Sequence, residues 1–313
     1  MIPVVWWLAS TASAGGGPWV QHTEQASVYL GTESQKFEQF ILSDGNFGDT
    51  EPVQVDDGIS KILVKAIVTY GLTPRSEVEL SVPYGDVRAN RDLGSDSVCA
   101  TLGLDACAPN QGLAPITVRA KMNFLEQAYG PPVSASAGIE LRYEHHTLAE
   151  RAQLTSLGEG TFDAGIVLSA GRSSSLPGSG YYYTYLEALG RYRVPTTTLK
   201  GTSSPGSELQ LIGDLVVVPD GRIGFGPTIV MFDRPVGLDF EETILTDVDR
   251  FAALRVRNYQ AGAKLTLSAS PKASASLSVL RSLYAVNNPL ITGVSFGLSF
   301  SDVLPKKTVE TEE

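Results

Sequence analysis

The sequence predicts an all-β protein, a transmembrane antiparallel up-and-down β-barrel of about 12 strands with short periplasmic turns and long extracellular loops. Three observations carry that expectation. Apolar and polar residues alternate with period two along the chain, while helical periodicity is nearly absent. Short, turn-rich connections alternate with long polar ones. The apolar parity ends repeatedly in aromatic residues, and the polar parity carries charges of both signs.

Composition sets the limits. At 313 residues the chain is long enough for one large β-domain or two small ones. No linker or shift in composition divides it, so a single barrel is expected over 15–300. Charged residues make up 19%, and no stretch of about 18 apolar residues could cross a bilayer as a helix, so any crossing is made by strands. A net charge of −10 without a Lys/Arg cluster excludes nucleic acid as a partner class. Residues 1–14 read as a signal peptide, with an apolar run Ile2 to Leu8 and a small-residue site at Ala12-Ser13-Ala14, although its start lacks Lys and Arg. Residues 301–313 read as a polar periplasmic tail. Cys99 and Cys107 lie eight positions apart in a Gly/Asp/Asn-rich segment; a local loop disulfide in an oxidising compartment is expected, the alternative being two free thiols.

The strands follow in order. The first is expected at 19–33. In VTYGLTPRSEVELSVPYGD, Val68, Tyr70 and Leu72 share a parity that Val78, Leu80, Val82 and Tyr84 continue after the turn Thr73-Pro74-Arg75, giving strands at 59–72 and 76–90. Ile116, Val118, Ala120, Met122 and Phe124 define 113–127, and Val133, Ala135, Ala137, Ile139, Leu141 and Tyr143 define 132–146. Further strands are expected at 160–174, 180–194, 207–219 and 222–236. The parity of Tyr259, Ala261, Ala263, Leu265 and Leu267 marks 253–269, and the last two strands fall at 274–286 and 290–300.

Connections after even strands are tight, as in Pro177-Gly178-Ser179-Gly180, Pro219-Asp220-Gly221 and Ser270-Pro271-Lys272. Those after odd strands are long (34–58, 91–112, 147–159, 195–206, 237–252), except the short Asn287-Asn288-Pro289. All tight turns therefore gather at one end.

Orientation follows from the aromatics and the charges. Tyr70, Tyr84, Phe124, Tyr143, Tyr182, Tyr192, Phe296 and Phe300 lie on the apolar parity, most of them near strand ends, and are expected to form lipid-facing aromatic girdles. The polar parity carries Lys61, Glu77, Arg193, Asp214 and Lys264. Lys65, Glu79, Arg119, Lys121, Glu140, Arg142, Glu187 and Arg191 share it and are expected to line a constriction of the lumen. The alternative is that these charges pair off and fill a closed barrel. The final strand, LITGVSFGLSF, closes on Phe300 and resembles the C-terminal signal read by the barrel-assembly machinery, although a polar tail follows it here.

TYGLTPRSEVELSVPY resembles the tight-turn hairpin of the outer-membrane transporters grouped under the phenol-degradation (meta-pathway) name, and GEGTFDAGIVLSAGRS, residues 158–173, is similar to a mid-barrel hairpin of the same group. The resemblance covers these two segments. It implies a barrel in the outer membrane of a Gram-negative bacterium and uptake of small, often hydrophobic or aromatic molecules.

Other function classes find less support. Hydrolysis needs a nucleophilic Ser beside an oriented His. The three His are His22 and the adjacent pair His145-His146, and no Ser motif accompanies them, so no catalytic residue is assigned. Adjacent strand positions point to opposite faces, so the His pair is no metal site, and neither a metal nor a cofactor is expected. DGNFGDTEPVQVDDG holds five carboxylates but lacks the spacing of a calcium loop, and reads as a solvated surface loop.

Overall fold

The computed structural model describes residues 17–43, 50–89, 108–144, 157, 160–198, 201–203, 206–237 and 255–303. The chain runs through β1 (Ala26–Ser43), β2 (Thr50–Thr73), β3 (Ser76–Ala89), β4 (Asn110–Leu113), β5 (Ile116–Leu125), β6 (Ser134–Tyr143) and β7 (Phe162–Ser175). It continues through β8 (Tyr181–Arg193), β9 (Thr196–Thr198), β10 (Gly201–Ser203), β11 (Glu208–Val218), β12 (Ile223–Arg234), β13 (Val256–Ser270), β14 (Ala273–Val286) and β15 (Asn288–Ser301). Each long strand pairs antiparallel with its neighbours in sequence, and β1 pairs with β15 from Ser27↔Ser301 to Ile41↔Asn288. The result is a closed 12-strand barrel, in which β4 continues the line of β5 and β9–β10 form a separate small hairpin.

Closure is what the exposed surface requires. Ile139, Ile166 and Leu168 point outward at 60%, 64% and 54% exposure, while Glu140, Val167 and Ser169, one residue away, are buried. A belt of large apolar side chains facing out, with charge inside, is unstable in water and suited to hydrocarbon. In hydrocarbon every backbone group needs a partner within the protein, which only the closed ring supplies. The fold and its outward apolar belt suit the chain to span a lipid bilayer by strands. We expect the detergent-folded protein to migrate faster on a gel unboiled than boiled; a single unshifted band would contradict the closed ring.

Tight turns join β2 to β3, β7 to β8, β11 to β12 and β13 to β14 at one end. In the β11–β12 turn the Asp220 carboxylate accepts the N–H groups of Ile223 at 2.8 Å and Arg222 at 2.9 Å, which holds its carboxyl below the ordinary range, and Gly221 takes φ +75.

Three departures from the expected strands have physical reasons. First, β1 starts at Ala26, not 19, and residues 17–25 turn into the lumen. Second, much of the expected loop 34–58 is strand: β1 and β2 stay paired up to Ser43↔Thr50, beyond the Ile59↔Ala89 end of the β2–β3 ladder. Residues 55–58 loop out opposite residue 38, with Gly58 at φ +66. The β1–β2 hairpin therefore extends beyond the ladder that β2 makes with β3. Third, the strand after the 90–107 segment is split into β4 and β5 at Ala114-Pro115, beside Pro83 of β3. Neither proline can donate to the ladder. A similar interruption falls between Asp214↔Thr228 and Val217↔Phe225, where Pro227 lacks an N–H.

Candidate permeation path

Alternation sends one residue in two inward, so the lumen wall is read directly from the strands. All the charged residues expected to line it have inward parity, and they do not line it evenly. From β5 to β12 they form a lattice of ion pairs. Glu140 accepts Arg119 at 2.8 Å and Arg191 at 2.7 Å, and Arg119 also reaches Glu187 at 3.0 Å, to which Ser169 donates as well. Arg142 donates to Asp163 and lies 3.5 Å from Glu144. Glu208 lies at the centre of the second half, 3.1 Å from Arg142, 3.3 Å from Arg191, 3.4 Å from Arg193 and 2.8 Å from Arg234. Five guanidinium groups thus meet five carboxylates. Glu140, Asp163, Glu187, Arg193 and Glu208 are buried, and buried charge is tolerated only when paired in this way.

Several of these bonds skip strands: Arg119 on β5 reaches β8, and Arg142 on β6 reaches β11. They therefore run inside the ring, across the concave wall. Asp163, Glu208 and Arg234 were not among the residues expected from sequence. Their parity within β7, β11 and β12 points to them, but in β11 it is masked by the inward Ile212, Val216 and Val218.

Those valines have a partner. Trp19, from the segment ahead of β1, packs with Val216 and Val218 and meets Tyr183 and Tyr185 edge-on at 6.4 and 6.2 Å between ring centroids. The backbone of the segment is held too. Lys121 donates to the Gly17 carbonyl at 2.9 Å, Asn123 to the Pro18 carbonyl at 3.0 Å, and the Gln21 N–H donates to Glu77 at 2.6 Å. Lys121 also pairs with Glu77 at 2.9 Å. At Gly71 the segment lies so close to the wall that any side chain would run into the His22 carbonyl, and the backbones bond there, Glu24 N–H to the Gly71 carbonyl at 2.9 Å. Residues 17–25 are therefore a plug at the short-turn end of the lumen.

Glu79 is buried opposite Arg119 on β5, and Lys65 shares the inward parity of Ile67 and Thr69 on β2. At the other mouth Leu157 is buried against Ile59, Val87 and Ala114, over Gly85, where a side chain would collide with it.

The wall from β13 through β14 and β15 to β1 is different. It presents Thr266, Ser268, Ser274, Ser276, Ser278, Ser295 and Ser299, and with Tyr29, Tyr181, Tyr183 and Lys264 these line a polar cavity of about 150 Å³. That is room for about five waters. Lys264 is held by Asp214 at 2.6 Å, and Ser278 and Ser295 share a hydrogen bond of 2.6 Å. The lumen thus has a neutral lattice and a plug on one side and a hydroxyl-lined cleft on the other.

On the outer surface Phe124, Tyr182 and Phe300 lie towards the short-turn end, with Tyr70 half-buried there, and Tyr84, Tyr143 and Tyr192 towards the other. Phe296 faces out at mid-strand, between Thr292 and Phe300. Cys99, Cys107, His145 and His146, together with residues 1–16 and 304–313, lie outside the described residues. Among the described residues no group of three or more His, Cys, Asp or Glu is placed to hold a metal ion.

Fold, outward apolar belt and charged lumen define an outer-membrane β-barrel. Among solved structures it is similar to the COG4313 outer membrane channel from Pseudomonas putida F1, at TM-score 0.66 and 13% identity over 92% of this chain and 100% of that one. Weaker likenesses include the NanC porin, at TM-score 0.47 and 8% identity over 87% of this chain and 98% of that one. The translocator domain of the autotransporter NalP from Neisseria meningitidis matches at TM-score 0.42 and 8% identity, over 95% and 92%. No family model and no curated protein sequence matches the chain.

Proposed function

We propose that this protein is an outer-membrane channel for passive uptake of small molecules, closed in this state by its N-terminal segment, with solutes passing along the hydroxyl wall. The observation that carries the reading is the division of the lumen: a polar cavity lies along β13–β15, across from the plug and the ion lattice. Lys65, Glu79, Arg119, Lys121, Glu140, Arg142, Glu187 and Arg191 set the bore from the opposite wall. They exclude bulk, and with Arg119, Lys121, Glu140, Arg142, Glu187 and Arg191 held in ion pairs they add little net charge. The three tyrosines and many hydroxyls of the cleft suit a small solute with a ring and a hydroxyl, which agrees with the aromatic cargo implied by the resemblance in sequence. The fold of the Pseudomonas putida channel supports the same class. The closing strand β15, with Phe296 and Phe300 on its outer parity, is the element we assign to recognition by the assembly machinery.

The competing reading is a closed barrel whose lattice is purely structural. Liposome swelling separates the two. Once the plug is released, channels are expected to admit glycerol- and phenol-sized solutes and to exclude disaccharides, which exceed the cleft. No flux of any solute, either from the intact protein or from one whose plug has been released, would leave the structural reading standing.

A further inference from the structure

The outward wall near the short turns holds a groove that the permeation path does not use. Ala170, Leu186, Gly213, Leu215, Pro227 and Ile229, on the outward parity of β7, β8, β11 and β12, line a depression of about 420 Å³, within the ~300–1,000 Å³ of pockets that hold small ligands. Gly213 leaves the space: it lies between Leu186 and Ile229, whose side-chain tips would meet an added Cβ at 3.3 and 3.1 Å. Arg172 bounds the groove on the β7 side, one outward position closer to the short turns than Ala170. It continues the outward run of Ile166, Leu168 and Ala170, is exposed, and among the described residues has no hydrogen-bond or ion-pair partner. No carboxylate among the described residues neutralises it. Asp214, which borders the groove, is held by Lys264 at 2.6 Å and Tyr185 at 3.1 Å on the lumen side. Asp220 accepts the N–H groups of its own turn. Glu126 precedes Gln127, whose amide is bonded to the Ser173 backbone at 2.7 and 3.0 Å, and it forms no ion pair with Arg172.

The geometry points to a phospholipid site: the Arg172 guanidinium binds the headgroup phosphate of a lipid in the leaflet that meets the short turns, and one acyl chain lies in the groove over Gly213. Depth selects this occupant. One outward step toward the short turns, Ser174, Tyr182, Val217 and Phe225 share a row that carries two aromatics, the mark of an interface. Two residues of strand, about 7 Å, separate Arg172 from that row, a span its side chain covers while its stem stays on the apolar wall. Chemistry selects the same occupant. A lone guanidinium facing hydrocarbon is costly, and a phosphate diester offers it two acceptor oxygens in the planar geometry it favours. Only an amphiphile occupies the cation and the apolar groove together.

The test uses the purified full-length barrel in detergent, titrated with dioleoylphosphatidylglycerol and with dioleoylglycerol, which has the same chains and no phosphate, and bound lipid is read by native mass spectrometry. The wild type is expected to prefer the phospholipid roughly fivefold, the preference that one interfacial cation gives, and Arg172→Gln to bring the two lipids level. Arg222→Gln, which removes a positive charge at the same end of the barrel but in the β11–β12 turn, should keep the preference. Gly213→Leu, which fills the groove, should weaken both lipids and keep their ratio. Inorganic phosphate in excess should displace neither, because the acyl contacts are part of the site. Equal binding of the two lipids by the wild type would overturn the proposal, as would a preference that survives Arg172→Gln, an equal loss in Arg222→Gln, or an unchanged affinity in Gly213→Leu. If Gly213→Leu does not fold, as its gel migration would show, Arg172→Gln, a change at an exposed position, decides alone.

Discussion

Replacing Trp19 with alanine is expected to convert a closed barrel into a conducting one. Trp19 is the apolar anchor of the plug, seated on Tyr183, Tyr185, Val216 and Val218. Truncating a buried tryptophan to alanine removes about 3–5 kcal/mol. Each 1.4 kcal/mol is a factor of ten in an equilibrium, so the released state should gain roughly two to four orders of magnitude in population. The remaining ties, from Lys121, Asn123 and Glu77, are polar and exchange with water once the segment lifts. Single-channel recording should therefore show a larger and more often open pore. Gly71→Val approaches the same state from the wall, because its side chain collides with the His22 carbonyl while the outward face is untouched. If both variants conduct no more than the wild type, residues 17–25 do not gate the lumen.

Glu208→Ala is expected to be the most destabilising single change in the lattice. Arg142, Arg191, Arg193 and Arg234 all converge on this buried carboxylate. Removing one partner from a buried ionic group costs about 3–5 kcal/mol, because the charges left behind stay buried without a counter-ion. Here the excess is positive, so the surviving pore should also turn anion-selective. The half-exposed outer pair supplies the comparison: Asp233→Asn, which removes the charge that Arg257 meets at 3.0 Å, should cost about 0–1 kcal/mol. Urea unfolding followed by gel migration measures both. Equal losses for Glu208→Ala and Asp233→Asn would show that the lattice is no more than a decorated wall.

Much of this barrel is legible in the sequence because lipid and lumen impose opposite chemistry on alternate residues. Within the β2–β3 hairpin, Leu80 and Tyr84 could only face lipid, and Glu77 and Glu79 could only face the lumen. The rule fails where the environment on one side changes. The stretch 19–33 keeps some alternation, yet Trp19 belongs to the plug, whose partners Lys121 and Asn123 are more than 100 residues away in sequence. A local pattern cannot contain such contacts; the Gly-Gly-Pro run just before Trp19 is the only hint that the chain bends there. In β11 the plug inverts the signal, since Val216 and Val218 are apolar and point inward to receive Trp19, and the same strand's Glu208 was passed over. The stretch 34–58 reads as loop from its polar, acidic composition, yet β1 and β2 stay paired up to Ser43↔Thr50, because backbone pairing continues past the end of the β2–β3 ladder.

The seam between β1 and β15 also governs how the molecule is made. It joins the first strand to the last, and on its inner side Gly31 and Gly297 face each other beneath the ring of Tyr29, leaving no space for a side chain at either position. The ring cannot close until the final strand exists, so until then both edges remain open to mispairing. A slip of one residue at that moment would turn Phe296 and Phe300 into the lumen and Ser295 and Ser299 toward lipid. In the observed register the glycine pair makes room for the Tyr29 ring, so the seam favours this alignment of the two chain ends as the ring shuts.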